Sequence, residues 1–173
     1  NIQFANSSFG QGMSATPLQM GAAIASIVNG GTYFKPHLVD KFIEDNGKET
    51  DVQPEVVKQG TISQGASKEI REIMEYAFSK NHTFYGMPDI RPEYSIGTKT
   101  GTAQVPKPGG GYYEDRYNGT FAAFVGGEDP EYVIIVRVNE PKIGGYAGAK
   151  AAAPIGVKIL NMLIDNYDVP RKN

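Results

Sequence analysis

Ser95-Ile96-Gly97-Thr98-Lys99-Thr100-Gly101-Thr102-Ala103-Gln104-Val105 is the stretch on which the reading of this chain turns. Its β-branched residues favour an extended backbone, and Gly101 removes a side chain where the backbone of a ligand would come close. Lys99 brings a fixed positive charge, Thr100 a hydroxyl, and an open strand edge brings backbone N–H groups. Together these suit a strand that grips an anionic substrate along its edge.

The bulk of the chain bounds what that strand can belong to. With 173 residues, 40% of them hydrophobic, it is one domain or a piece of one, able to bury a real core. Its net charge is −2 and its longest basic cluster is Arg171-Lys172, so no nucleic-acid-binding face is expected. The absence of cysteine excludes disulfides, thiolate catalysis and cysteine metal sites. His37 and His82 are isolated, with no second ligand at metal spacing, so no metal is expected. Gly47-Lys48 is followed by Glu49, which leaves no phosphate-binding loop and no cofactor signature. The pairs Glu44-Asp45, Glu114-Asp115 and Glu128-Asp129 lie in turn-like stretches and read as solvated charge rather than converging catalytic carboxylates. No apolar run is long enough to span a membrane. The chain opens at Asn1-Ile2-Gln3-Phe4, and a fragment of a longer protein is expected.

Around the lysine strand the pattern predicts an α/β chain of the α+β type, an antiparallel sheet with flanking helices. Phe9 to Ala15 is punctuated by Gly10 and Gly12 and reads as a tight approach to a helix. Thr16 then caps that helix, Pro17 fits its first turn, and Asn29-Gly30-Gly31 ends it. A strand is expected over 36–44, a turn at Asp45-Asn46-Gly47, and broken strands up to Ser63. Residues 67–78 form the clearest amphipathic helix, followed by a loop over 81–93. Pro106 to Tyr113 reads as an exposed loop, where Tyr112 and Tyr113, with Tyr117 beyond, are either a groove wall or incidental surface. Two strands, 120–125 and 132–138, flank a hairpin loop at 126–130, and a glycine-rich link leads to a last helix over 149–167.

These segments, in this order, resemble the class B penicillin-binding proteins. Phe9-Gly10-Gln11-Gly12-Met13-Ser14-Ala15-Thr16-Pro17-Leu18-Gln19-Met20 with Asn29-Gly30-Gly31 is similar to the stretch between that family's second and third active-site motifs. Lys99-Thr100-Gly101-Thr102-Ala103-Gln104 resembles the third motif. Thr120 to Val125, Tyr132 to Pro141, and Ala151-Ala152-Ala153-Pro154 resemble the family's two strands and last helix beyond that motif. The resemblance implies a partial penicillin-binding, serine β-lactamase-like transpeptidase fold, with residues 1–173 forming one partial domain. Thr98 stands where the family often has glycine.

The family's nucleophile belongs to Ser-x-x-Lys, and no serine here has lysine three residues on. Thr32-Tyr33-Phe34-Lys35 has the spacing but follows a helix-ending Gly-Gly, and Ser79-Lys80-Asn81 copies the second motif's letters in the wrong place. The resemblance assigns Lys99, Thr100, Gly101, Thr102 and Gln104 to substrate binding, and Lys99 and the backbone N–H of Thr102 to catalysis. That N–H would be half of the oxyanion hole, a donor worth about 3 kcal/mol in the transition state. The implied parent is a D,D-transpeptidase at the outer face of the cell membrane, with the peptidoglycan stem peptide, β-lactam antibiotics and the missing N-terminal half of the domain as partners. A serine β-lactamase or carboxypeptidase relative, and a non-catalytic sensor of the same fold, stay open. In the family's topology the strand over 132–138 is interior, and its run Val133-Ile134-Ile135-Val136 is apolar on both faces. With spatial order 132–138, 119–126, 95–105, its outer edge is expected to pair outside this chain, self-association included.

Overall fold

A computed structural model describes residues 2–8, 10–143 and 145–173; Phe9 of the glycine-punctuated stretch and Gly144 of the later link lie outside the described residues. The centre of the fold is a three-stranded antiparallel sheet of β5 (Ser95–Pro106), β6 (Tyr112–Gly126) and β7 (Pro130–Asn139), ordered β5-β6-β7. This is the expected order. Thr102 pairs with Gly119, Lys99 with Ala122, and Phe121 with Val136 across the two ladders.

The expected loop over 106–113 is shorter than its composition suggested. Only residues 107–111 turn; Tyr112 and Tyr113 already belong to β6. Pro106 pairs with Tyr112 across an irregular register, and Gly109, Gly110 and Gly111 all take positive φ. Three successive left-handed glycines let the chain reverse tightly and free the tyrosines for the strand.

Each face of the sheet carries helices. On one face lie α2 (Pro17–Val28) and α3 (Gln64–Asn81). A Cβ on Gly97 would collide with Phe124 and Met74, which shows how closely α3 approaches β5 there. The small core on this face comprises Val28, Met74 and Phe124. On the other face α4 (Gly148–Ala151) and α5 (Ala153–Asn166) bury Phe121, Ala123, Leu160 and Val157. Period-2 alternation along β6 sends Phe124 to the first core and Phe121 and Ala123 to the second.

Local chemistry accounts for the helix ends. Thr16 Oγ1 accepts from the Gln19 N–H while Gln19 Oε1 accepts from the Thr16 N–H, a reciprocal cap worth about 1 kcal/mol. The helix expected over 67–78 runs from Gln64 to Asn81 because Ser63, not Ser67, caps it. Ser67 is buried instead, donating to Ile27 O and accepting from the Gly30 N–H, which ties α3 to the end of α2. The expected last helix is divided at Ala152 into α4 and α5, because Pro154 has no N–H to continue one ladder and suits the first turn of another. A short helix, α1 (Ile2–Ser7), precedes the glycines and was not among the elements expected from the sequence.

The strand expected over 36–44 shrinks to β2 (Lys41–Ile43), hairpinned with β3 (Glu49–Asp51). Two residues of β1 (Tyr33–Phe34) pair with β4 (Val56–Lys58). This arm stands off the core with Leu38, Phe42 and Val57 exposed.

Candidate active-site strand

β5 lies at the border of the sheet, and among the described residues its outer edge pairs with no strand. Lys99 and Thr102 are exposed, while Thr100, Gly101 and Gln104 are half-buried. Alternation places Lys99 and Gly101 on the α2–α3 face, and Thr100, Thr102 and Gln104 on the α4–α5 face. The site residues read from the sequence are therefore neighbours on one strand but point in two directions.

Backbone parity decides which groups face the open edge. The Glu140 N–H donates to Tyr117 O at 2.9 Å, in step with the Asn118–Asn139 pair. Odd residues of β6 thus bond β7, and even residues such as Thr120 turn to β5. Thr120 pairs with Gly101, so odd residues of β5 face β6, and the N–H and C=O of Thr100 and Thr102 face outward. The Lys99 ammonium agrees: Nζ donates to the outward Thr100 carbonyl at 2.6 Å.

Thr102 is held from behind. The N–H of Gly148, at the start of α4, donates to Thr102 Oγ1 at 3.0 Å. This approach needs glycine at 119 and 148. A Cβ on Gly148 would run into Gly101 O and Thr120 O, and one on Gly119 would stand 3.1 Å from the Gly148 Cα. On the opposite face a Cβ on Gly101 would lie 2.5 Å from Thr120 Oγ1. The sequence showed Gly148 only as part of a glycine-rich link; its pattern, Gly-Ala-Lys-Ala before Ala-Ala-Pro, was the available signal.

Beyond Gln104, whose Nε2 donates to Tyr113 O at 3.1 Å, the start of β6 is braced against the end of β7 by side chains that no sequence motif marks. Arg116 forms a two-pronged ion pair with Glu140 at 2.5 and 2.7 Å and lies over the Tyr113 ring at 4.2 Å. The guanidinium, chiefly through these hydrogen bonds, holds the Glu140 carboxyl below the usual carboxylate range. Tyr117 stacks on Tyr146 at 4.4 Å, so it joins the α4–α5 side rather than an isolated loop. His82 Nδ1 meets Met87 O at 2.7 Å and His37 Nδ1 meets Val39 O at 2.8 Å, both local backbone contacts. Among the described residues no cluster of histidine and carboxylate side chains could hold a metal ion. Ser79 Oγ donates to Tyr76 O on its own helix.

No serine of these 173 residues has lysine three positions on; what the strand presents is an open edge with an exposed lysine and two threonine hydroxyls. The chain belongs to the penicillin binding protein transpeptidase domain family, which it matches over residues 1–161. It is 36% identical to the stage V sporulation protein D of Bacillus subtilis across 99% of its length, and 29% identical to a peptidoglycan D,D-transpeptidase FtsI homolog of Mesostigma viride across 98%. It spans 26% and 30% of those two relatives' own lengths. The crystal structure of penicillin binding protein 3 from Mycobacterium tuberculosis complexed with aztreonam superposes with a TM-score of 0.79 at 29% identity, over 97% of this chain and 39% of that one. The fold is thus that of a penicillin-binding transpeptidase domain.

Proposed function

We propose that this chain is the substrate-gripping part of a serine D,D-transpeptidase that cross-links peptidoglycan stem peptides, residues 1–173 being one partial domain. The carrying observation is the open edge of β5, where Thr100 and Thr102 turn their backbone groups outward beside the exposed Lys99. An extended stem peptide adds along that edge as a strand. The Lys99 ammonium and Thr100 hydroxyl receive its carboxylate, and Gln104 flanks the groove. The Thr102 N–H takes the developing negative charge of the carbonyl oxygen, and the second donor comes with the nucleophile. A β-lactam occupies the same edge as a mimic and is opened by the same serine.

The nucleophile and its lysine base belong to the N-terminal half of the domain, outside these 173 residues. The parent works at the outer face of the cell membrane, where its substrate lies. Among the described residues no helix is long and apolar enough to cross a membrane.

A fluorescent penicillin tests this reading. The expected result is no covalent band on this chain in a denaturing gel, and a labelled band on the complete parent. A covalent band on this chain alone, or an unlabelled parent, overturns it.

A further inference from the structure

Three places in the chain set asparagine before glycine: Asn29-Gly30, Asn46-Gly47 and Asn118-Gly119. Such a pair can react with itself, because glycine has no side chain to obstruct its own nitrogen as that nitrogen approaches the asparagine Cγ. The fold treats the three pairs differently. Asn118 and Gly119 lie inside β6, laddered to β5 on one side and to β7 on the other. Gly119 is buried, and a Cβ there would stand 3.1 Å from the Gly148 Cα, so no ring forms without opening the sheet. The Gly30 N–H is held at 3.1 Å by Ser67 Oγ, which is itself buried and donates to Ile27 O. A Cβ on the neighbouring Gly31 would strike Ile62 O, so the end of α2 has no room to turn. Asn46-Gly47 is the exception. It forms the tip of the β2–β3 hairpin, where every residue from Lys41 to Asp51 is exposed. Nothing lies within 4 Å of a Cβ built on Gly47. Its N–H donates to Glu44 O at 2.8 Å, a bond within the turn that opens whenever the tip frays. Asn46 Oδ1 accepts the Lys48 N–H at 2.8 Å, which polarises the Cγ carbonyl and stabilises the negative charge that attack creates.

We infer that Asn46 is a modification site: of the three pairs, it alone deamidates in the folded protein. The Gly47 nitrogen gives its proton to hydroxide and bonds to Asn46 Cγ. The Cγ–Nδ2 bond breaks, and that nitrogen leaves as ammonia with a proton taken from water. Water then opens the five-membered succinimide at either carbonyl, leaving aspartate or isoaspartate at position 46. Nothing is oxidised or reduced. Either product sets a new carboxylate beside Glu44 and Asp45. Isoaspartate also adds one atom to the main chain within the turn, whose length fixes the pairing of Ile43 with Glu49. The mark therefore loosens the hairpin. The reaction needs nothing from β5 and is independent of the chemistry proposed for the lysine strand.

Peptide mass mapping of the complete parent, incubated at mildly alkaline pH with and without urea, reads the reaction. In urea the three pairs are equally free and react together. In the native protein Asn46 is expected to stay within about tenfold of its rate in urea, because only the hairpin tip must open. Asn29 and Asn118 are expected to fall at least about a hundredfold below theirs, because they react only through opening of packed structure. Isoaspartyl methyltransferase should label the hairpin peptide, and Asn46→Gln should remove that label while circular dichroism shows the fold intact. A native protein in which Asn46 keeps its amide overturns the inference. Equal reaction at all three pairs overturns it too, as does a hairpin label that survives Asn46→Gln.

Discussion

The N–H of Gly148 donates to Thr102 Oγ1 at 3.0 Å, so the start of α4 braces the residue whose own N–H faces the open edge of β5. The brace exists because glycine stands at 119 and 148, and any Cβ at 148 would strike Gly101 O and Thr120 O.

Gly148→Ala therefore forces α4 away from the sheet. Overpacking of this kind costs about 1–3 kcal/mol, and urea denaturation should show a loss in that range. In the complete parent the same change should slow acylation by β-lactams, because Thr102 loses its rear contact. A variant as stable as the original would refute the close approach.

Thr98 is 0% exposed, and its Oγ1 has no hydrogen-bond partner among the described residues. Leaving a buried hydroxyl unpaired costs about 1–3 kcal/mol. Thr98→Val keeps the shape and removes the orphan, so the chain should gain roughly 1 kcal/mol by denaturant midpoint at an unchanged slope. A loss of stability would mean that the hydroxyl is satisfied by a bound water.

Thr100→Val in the complete parent removes the hydroxyl assigned to the substrate carboxylate. A hydrogen bond to a charged group is worth about 1.5–3 kcal/mol, so acylation should slow by about one to two orders of magnitude. Unchanged stopped-flow acylation rates would remove Thr100 from the site.

Arg116 lowers the Glu140 carboxyl below its ordinary pKa. A carboxylate depressed in the folded state adds stability above its unfolded pKa of about 4.3, and that contribution is lost as pH falls through the lower folded value. The start of β6 should loosen from the end of β7 on acidification below about pH 4, and Glu140→Gln should abolish this component. Amide exchange at 112–118 against pH is the measurement, and identical profiles for both proteins would show that the pair contributes nothing.

Much of this fold was legible because its signals are local. Thr16-Pro17 with Gln19 contains its own cap, the β-branched residues over 95–105 and 132–138 favour an extended backbone, and Asp45-Asn46-Gly47 is a turn. Motif order was legible too: Lys99-Thr100-Gly101-Thr102 within its ordered set led to the family that the match over residues 1–161 then established. Boundaries failed where two local signals compete. Ser63 and Ser67 both suit a helix cap, and only burial of Ser67 against Ile27 decides between them. Tyr112 and Tyr113 looked like loop because Gly109 to Gly111 precede them, whereas pairing with β5 makes them strand.

The order of the three strands followed from the family resemblance; by itself the sequence determined the strand segments, the residue types along the lysine strand, and the lack of a serine with lysine three positions on within these residues. Each rests on residue identity and near-neighbour spacing. Tertiary structure alone decided which backbone groups face the open edges, that Gly148 reaches Thr102 across 46 positions, and that Arg116 pairs with Glu140. Those relations depend on ladder register and on close packing between segments distant in the chain. Hydrogen-bond parity and steric fit exist only once the strands are laid side by side.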